Sequence, residues 1–560
     1  VGVQLTPLQQ AWVGNLRRIL LLLLSGAALV LVMACANVAS LLLTQAIERR
    51  QEISVRTALG ASRLRLARQL LTESLLLSLL GCAGGLLLAL AATRLLDMVQ
   101  AAGLRSFVHV GLDARVVAFA VAVSLLCGAG FGLAPLWAAW RTNVAGVLKE
   151  GTRGSPRQRL QSVLVAAEVA LALALLVGAG LSVRGFQKLQ STRLGYRTDV
   201  LTMRLDIGDK HYSDESAVLQ LLRRLDERLG ALPGVQSVGL EGPGLPTLSS
   251  DEAGFTVENR DPAEDASFSL AMHHVSPGYF STLGVPLLQG RFFTAGDDQK
   301  AETWSVVVGA GTARRLWPDG DPLGKRVKIG RRDFKFPWFK VIGVVGDARH
   351  LGLATDRDQW RQEPQDVYFT ALQFPPKAPP QVNILVRPAS GFDAAVLATP
   401  VRREIAAIDP GFAVYDTSTL AERLQKQTAR PRLLARLMTV FSLLSLVLAA
   451  VGIHGIVANS VTRRTREIGI RIALGADRGA VVGWIVKRAA LLALAGIAAG
   501  LGVAAILSRL MEHQLYGLPS IDPPAFAGGS ILLLGIAVLT SWLAAHRASR
   551  IEPSAALRAE

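Results

Sequence analysis

At 560 residues the chain is longer than one domain usually is, so two or more folding units are expected. Its residues are 51% hydrophobic and 18% charged, and uncharged stretches of about twenty residues, the length a helix needs to cross a bilayer, exclude a soluble protein. The net charge of +17 would otherwise suggest a nucleic-acid partner, but its location in short loops removes that reading.

In chain order, uncharged or nearly uncharged spans fall at 19–43, 74–93, 116–140, 160–183, 437–462, 489–508 and 523–545, predicting seven transmembrane helices. None has the form of a cleaved signal peptide. Segment 44–73 carries Arg49, Arg50, Arg56, Arg63, Arg65 and Arg68, segment 141–159 carries Arg141, Lys149, Arg153, Arg157 and Arg159, and 463–488 carries seven more basic residues. Loops 94–115 and 509–522 hold few, so the positive-inside rule places the basic loops in the cytoplasm. The first span then runs inward and residues 1–18 lie outside, although Arg17 and Arg18 on that flank oppose this orientation mildly. With Val1 at its start, the chain is expected to be a fragment that lacks at least one preceding helix.

Between the fourth and fifth spans lies a segment of mixed α and β character. Runs such as "SVVVGA" (305–310) and "KVIGVVGDA" (340–348) suit strands, while 217–232 and 394–408 have helical periodicity and end in turn residues. Cys35, Cys82 and Cys127 all fall inside predicted spans, so this extracytoplasmic segment has no internal disulfide and depends on its own apolar core.

The most informative feature is a repeat. "EISVRTALGA" (52–61) recurs as "EIGIRIALGA" (467–476) with seven of ten residues identical, and an offset of 415 holds without a gap from Arg49 and Arg464 to Asp97 and Glu512. After a six-residue shortening it resumes near Asp113 and Asp522. Each copy is a span, a basic loop, a span, a short outer loop, a span and a basic tail, both running the same way. A parallel repeat of this kind predicts a pseudo-dimer about an axis along the membrane normal.

Within each decapeptide Glu52 and Arg56, or Glu467 and Arg471, stand four apart in the favourable acid-first order on a helix face. Gly60 or Gly475 suits the left-handed residue that ends a helix, and Ser62 or Asp477 can cap the next. A helical hairpin that only satisfies the positive-inside rule would need arginines, but not the same residues at the same steps in both copies, so a docking or force-transmitting role is the expectation. Gly81 with Gly85 and Gly496 with Gly500 form repeat-matched GxxxG patterns that let helix backbones approach closely. Gly128 with Gly132 makes a weaker third. Glu168 lies inside the fourth span, within about two turns of Arg159, which favours a carboxylate reaching the interface over a proton or substrate site. His454 in the fifth span is read in the same way.

No catalytic or metal site is expected. "GDPLGKR" (320–326) has the wrong spacing for a phosphate-binding loop and reads as a turn entering a strand. His273 and His274 are adjacent, so on a strand they face opposite sides and do not chelate one metal.

The segments "ACANVASLLL" (34–43), "RRQEISVRTALGASRLRLARQLLTESLLL" (49–77), "RRTREIGIRIALGA" (463–476), "VSPGYFSTLGVPLLQGRFF" (275–293), "ARRLWPDGDPLGKRV" (313–327) and "VIGVVGDARHLGL" (341–353) together resemble the FtsX-like, MacB-type ABC transporter permeases. Within that superfamily they look most like the duplicated acidobacterial orphan permeases. The resemblance covers essentially the whole chain. It implies a polytopic α-helical membrane protein of the bacterial inner membrane: the end of a truncated periplasmic domain at 1–18, an FtsX-like three-helix unit at 19–150, a linker and helix at 151–183, a mixed α/β periplasmic core domain at 184–430 and a second three-helix unit at 431–560.

It also implies a non-enzymatic permease that couples a separate cytoplasmic ABC ATPase, which would bind the ATP, to movements of the periplasmic domain. The ATPase would dock at Glu52, Arg56 and Gly60 and at Glu467, Arg471 and Gly475, and a periplasmic or outer-membrane partner would complete the system. At Gly309 and Ala310, where relatives tend to carry Asn and Glu, any polar contact is in doubt. Two other readings stand beside this one: a membrane scaffold or signalling protein without ATP coupling, and an ion-coupled transporter, which would need broken helices and several buried charges.

Overall fold

The computed structural model describes residues 8–48, 63–100, 113–140, 156–207, 215–242, 251–298 apart from 262 and 264, 304–349, 365–370, 381–463, 477–510 and 519–549. It divides into two compact units, one of Val1–Leu181, Arg436–Leu510 and Ser520–Glu560, the other of Ser182–Ala435 with Met511–Pro519. The first begins with four helices, α1 (Leu8–Glu48), α2 (Arg63–Gln100), α3 (Ala114–Trp140) and α4 (Pro156–Gln190).

The second unit is α/β. Its elements are β1 (Leu201–Asp206), α5 (Glu215–Gly230), β2 (Val235–Glu241), β3 (Asp251–Val257), β4 (Phe268–Val275), α6 (Tyr279–Leu283), β5 (Leu287–Gly290), β6 (Trp304–Gly309), α7 (Ala310–Leu316), β7 (Arg326–Ile329), β8 (Phe339–Val345), β9 (Asp366–Thr370), β10 (Gln381–Pro388), α8 (Ala398–Ile408) and β11 (Ala413–Thr419). The strands form one sheet in the order β11-β1-β10-β2-β4-β3-β7-β8-β6-β9, with β5 on the edge of β8. A further parallel pairing of β4 with β9 closes β4-β3-β7-β8-β6-β9 into a ring, leaving β11-β1-β10-β2 as an open antiparallel sheet.

The period-2 alternation of strands sorts the core. Val306 and Val308 of β6 and Val367 and Phe369 of β9 pack in one cluster with Phe255 and Phe339, while Val307 and Tyr368 between them pack in another with Tyr279 and Phe280. On the open sheet, Met203, Leu205, Ile384 and Val386 meet Leu221, Leu225, Val401 and Ile405 of α5 and α8, whose apolar residues recur at helical spacing. The helix expected at 394–408 begins as a 3-10 turn at Ala394–Leu397, capped by Asp393 accepting from the Ala395 amide.

Among the described residues the two halves of the sheet pair along β2 and β4 at Glu241 with Val275, with backbone bonds from the Gly242 amide to the His274 carbonyl and from the Ser276 amide to the Leu240 carbonyl on either side. His273 of β4 reinforces that junction. Its Nδ1 lies 3.2 Å from Glu241 Oε1 and its Nε2 3.1 Å from Asp366 Oδ1 of β9, and all three side chains are buried. Since an ionised carboxylate only accepts, both ring nitrogens donate and the imidazole is charged. Burial pushes its pKa down, but Asp366 and Glu241 outweigh that and raise it to about 9. Burial holds both carboxyls above their usual range, which His273 only partly offsets. The imidazole stacks on Tyr368 at 5.2 Å, whereas His274 stacks on Phe369 at 5.7 Å, so the adjacent histidines face opposite sides as the strand period requires.

The chain returns to the first unit through α9 (Leu420–Arg463), followed by α10 (Arg478–Leu510) and α11 (Pro523–Ser549). Among the described residues six helices are long and apolar enough to cross a membrane, with spans at Leu20–Ser40, Leu71–Ala91, Gln161–Gln190, Pro431–Val461, Gly479–Leu510 and Pro523–Arg547. At the third expected span, 116–140, α3 is a continuous helix over Ala114–Trp140 whose Ala114–Gly130 segment is apolar. The spans of α9 and α10 begin before the expected 437 and 489, because Arg432, Arg436, Lys487 and Arg488 sit within continuous helix. Long basic side chains carry their charge outward on apolar stems and need not mark a helix end.

α4 is the most buried span, with 61% of its apolar window covered against 0–33% in the other five. The cause is backbone approach. A Cβ on Gly496 of α10 would lie 2.7 Å from the Ala166 carbonyl oxygen and from Val169 Cβ, and one on Gly500 2.9 Å from Ala170 Cα. Gly529 of α11 faces Leu173, Leu176 and Val177, and Gly180 faces Ala525.

These contacts predict that Gly500→Ala, by forcing α10 away from α4, costs about 1–3 kcal/mol as overpacking does, while Gly81→Ala, with nothing within 4 Å of the added Cβ, is neutral or slightly stabilising through helix propensity. Thermal unfolding of the purified protein in detergent distinguishes the two. For the triad, a proton held more tightly in the fold stabilises most below the unfolded histidine value of about 6.5, and that contribution is lost as pH rises through about 9. The unfolding midpoint of the α/β unit should therefore fall between those pH values. His273→Ala, leaving two buried carboxylates without their cation, should cost about 3–5 kcal/mol at neutral pH and flatten the dependence.

Candidate functional site

The two repeated decapeptides, with Glu52, Arg56, Gly60, Glu467, Arg471 and Gly475, lie outside the described residues, as does Ser62. The helices that bracket them are described. α1 runs to Glu48 and α2 starts at Arg63, and α9 runs to Arg463 before α10 starts at Arg478. Asp477 stands at the cap position of α10, its carbonyl accepting from the amides of Ala480 and Val481. Each decapeptide is thus the connection between two helices of the membrane unit, at the same place in each copy.

The geometry that joins the copies is the contact of α1 with α9. A Cβ on Gly26 would lie 2.9 Å from Phe441 Cδ2, and one on Gly452 would lie 2.8 Å from Asn37 Oδ1. Phe441 and Gly452 are the residues 415 positions beyond Gly26 and Asn37, which is the offset of the repeat itself. Two such contacts eleven residues apart mean that the helices run parallel and in register there, with Gly26 and Asn37 each facing its own counterpart. That is what a two-fold axis produces at an isologous interface. Asn37 locks the pairing by donating its Nδ2 to the Leu448 carbonyl at 2.9 Å, across α1 and α9.

The predicted packing glycines separate. Gly496 and Gly500 receive α4, whereas nothing described lies within 4 Å of a Cβ on Gly81 or Gly85. The contact underrated in the sequence is at Gly128 of α3, where a Cβ would lie 2.7 Å from Ser78 Oγ of α2. The repeat equivalents of Gly128 and Ser78 are Ala537 and Ala493, both fully buried. Small residues at both pairs were the available signal. Cys35 of α1 and Cys127 of α3 are free thiols with sulfurs 3.5 Å apart. Glu168 does not reach the interface as expected: it is 1% exposed, enclosed by α1, α4 and α9. His454 is half-buried.

In the α/β unit the "GDPLGKR" segment is a turn, with Gly324 at φ +77° and the Lys325 amide donating to the Pro322 carbonyl, leading into β7. At Gly309 and Ala310, β6 passes into α7, and a polar contact forms by another route. Asp347 accepts from the Gly311 amide at 2.6 Å and from Arg314 at 2.9 Å. Among the described residues no group of three His, Cys, Asp or Glu side chains is arranged to hold a metal.

The family model for the FtsX-like permease C-terminal region matches twice, at residues 24–144 and 439–553, and that for the MacB-like periplasmic core domain matches 162–404. The macrolide export ATP-binding/permease protein MacB of Neisseria gonorrhoeae is 26% identical over 316 residues, covering 55% of this chain and 46% of the relative. The pyoverdine export ATP-binding/permease protein PvdT of Pseudomonas savastanoi pv. phaseolicola is 26% identical over 282 residues, covering 49% and 40%. The chain thus spans about half the length of the curated relatives it matches. The crystal structure of the periplasmic region of MacB from Actinobacillus actinomycetemcomitans aligns with 43% of this chain and 97% of its own length, at 18% identity and a TM-score of 0.28. The two FtsX-like matches coincide with the copies joined at the α1–α9 seam and the core-domain match with the segment between them, so the chain belongs to the FtsX-like, MacB-type permeases, inner-membrane proteins with a periplasmic core domain.

Proposed function

We propose that this chain is the transmembrane subunit of an ABC-type efflux or mechanotransmission system, driven by a separate cytoplasmic ATPase. The carrying observation is the in-register pairing of α1 with α9 at the repeat offset. It makes one polypeptide a pseudo-dimer with two equivalent connections, one after α1 and one after α9, which suits a motor built of two like halves. Relatives bearing the words ATP-binding/permease in their names support the coupling. They do not identify the cargo.

In this reading the ATPase grips the segments at Glu52, Arg56 and Gly60 and at Glu467, Arg471 and Gly475, whose acid-first pairs stand at the four-residue spacing of one helix face. Closure of the motor then shifts the helices as rigid elements, and the periplasmic domain changes posture. The divisions between the two units fall inside α4, at Leu181 and Ser182, and inside α9, at Ala435 and Arg436. Movement of either helix is therefore a route between them, and a near-complete switch requires the ATP state to favour one arrangement by about 5.5 kcal/mol.

The test is a detergent pull-down of the protein from its native membrane. An ABC ATPase should be recovered with the wild type and lost with Glu52→Arg combined with Glu467→Arg, while membrane insertion is unchanged. Recovery of no ATPase with well-folded wild type, or equal recovery with the double variant, would overturn the docking role.

A further inference from the structure

Glu168 stands in the middle of the helices that form the seam. It is 1% exposed, seven residues into the α4 span, and among the described residues neither carboxyl oxygen has a hydrogen-bond partner. A buried carboxylate without donors is among the costliest groups a membrane interior can hold. The surroundings identify what satisfies it.

Gly452 of α9 leaves the space. A Cβ there would collide with Glu168 Oε2 and lie 2.8 Å from Asn37 Oδ1, so the carboxyl of α4 and the amide oxygen of α1 converge over the same backbone position. The orientation of the amide is decided by chemistry. Asn37 Nδ2 lies 2.9 Å from the Leu448 carbonyl oxygen, which can only accept, so the nitrogen must face Leu448 and the oxygen must face Glu168. Two acceptors then converge on the space over Gly452, and among the described residues no donor serves the carboxyl. One proton on the carboxyl converts that conflict into a hydrogen bond.

We propose that Glu168 is an intramembrane proton-binding site: its carboxyl holds a proton and donates it to Asn37 Oδ1, forming a neutral clasp over Gly452 that ties α4 to the α1–α9 seam. Glu168 is a positioning residue, acting on the helix arrangement through Asn37. Glycine at 452 leaves the space for the clasp, since a side chain there would displace the carboxyl. The repeat explains how the clasp is asymmetric: Asn37 and Gly452 are counterparts, the polar residue on one helix and the space on the other.

The experiment is infrared difference spectroscopy of the purified protein in lipid nanodiscs at neutral pH, in H2O and in D2O. The wild type should show the carbonyl band of a protonated carboxylic acid, absent in Glu168→Gln and moved to higher frequency in Asn37→Leu, where the acceptor is gone. Glu168→Gln should keep the wild-type unfolding temperature, because its amide still donates to Asn37, while Glu168→Ala should lower it. Should Glu168→Gln not be recoverable, Glu168→Asp keeps the acid and must shift the same band. No protonated-acid band assignable to Glu168 would overturn the proposal. So would a wild-type unfolding temperature that rises with added sodium and not in Glu168→Gln, which would assign the site to a metal cation.

Discussion

Helices in lipid gain nothing by hiding apolar surface from one another, because the solvent is as apolar as they are. Their association depends on how closely backbones approach, and here that approach occurs at Gly496 and Gly500 against Ala166, Val169, Ala170 and Leu173 of α4. The α4 positions follow the i, i+3, i+4, i+7 rule and form one stripe. Once that stripe is seated on α10, Glu168 is committed to another side of the same helix, toward the α1–α9 seam at Asn37 and Gly452. The placement of one polar residue in the bundle is thus a consequence of two missing side chains on a neighbouring helix.

The α1–α9 seam is the complementary constraint. Gene duplication in a single chain does not by itself produce a symmetric object, but pairing each residue with its own counterpart does. At the seam the symmetry is used unequally. Gly26 receives Phe441, and Gly452 leaves the space over which Asn37 and Glu168 meet, so each contact joins a large or polar side chain to a glycine. A strictly repeated sequence would set like against like at both points, with either collision or a gap.

The periplasmic domain solves a different problem. Its sheet is nearly two sheets, joined among the described residues by a short β2–β4 pairing around Glu241 and Val275, and a junction so short gains from reinforcement by side chains. His273 supplies it with two charge-assisted hydrogen bonds to elements on either side, Glu241 of β2 and Asp366 of β9. The low-dielectric surroundings strengthen those bonds and make the loss of any one partner expensive. The junction is therefore firm in the neutral range and weakened by alkali.

Much was legible in the sequence because it rests on local rules: hydrophobic length marked the spans, charge asymmetry their orientation, β-branched runs the strands β6 and β8, and self-comparison the repeat. Strand period alone predicted that His273 and His274 part company. What only the tertiary structure decided were the pairings between distant segments. Two glycine pairs of identical spacing differ because one meets α4 and the other meets nothing described, Glu168 is enclosed where its distance along the helix from Arg159 suggested an exit, and a histidine set aside for its awkward neighbour ties two halves of a sheet. Spacing along a chain reports which residues share a face, whereas the cost of a buried charge or the space for a side chain depends on atoms hundreds of residues away.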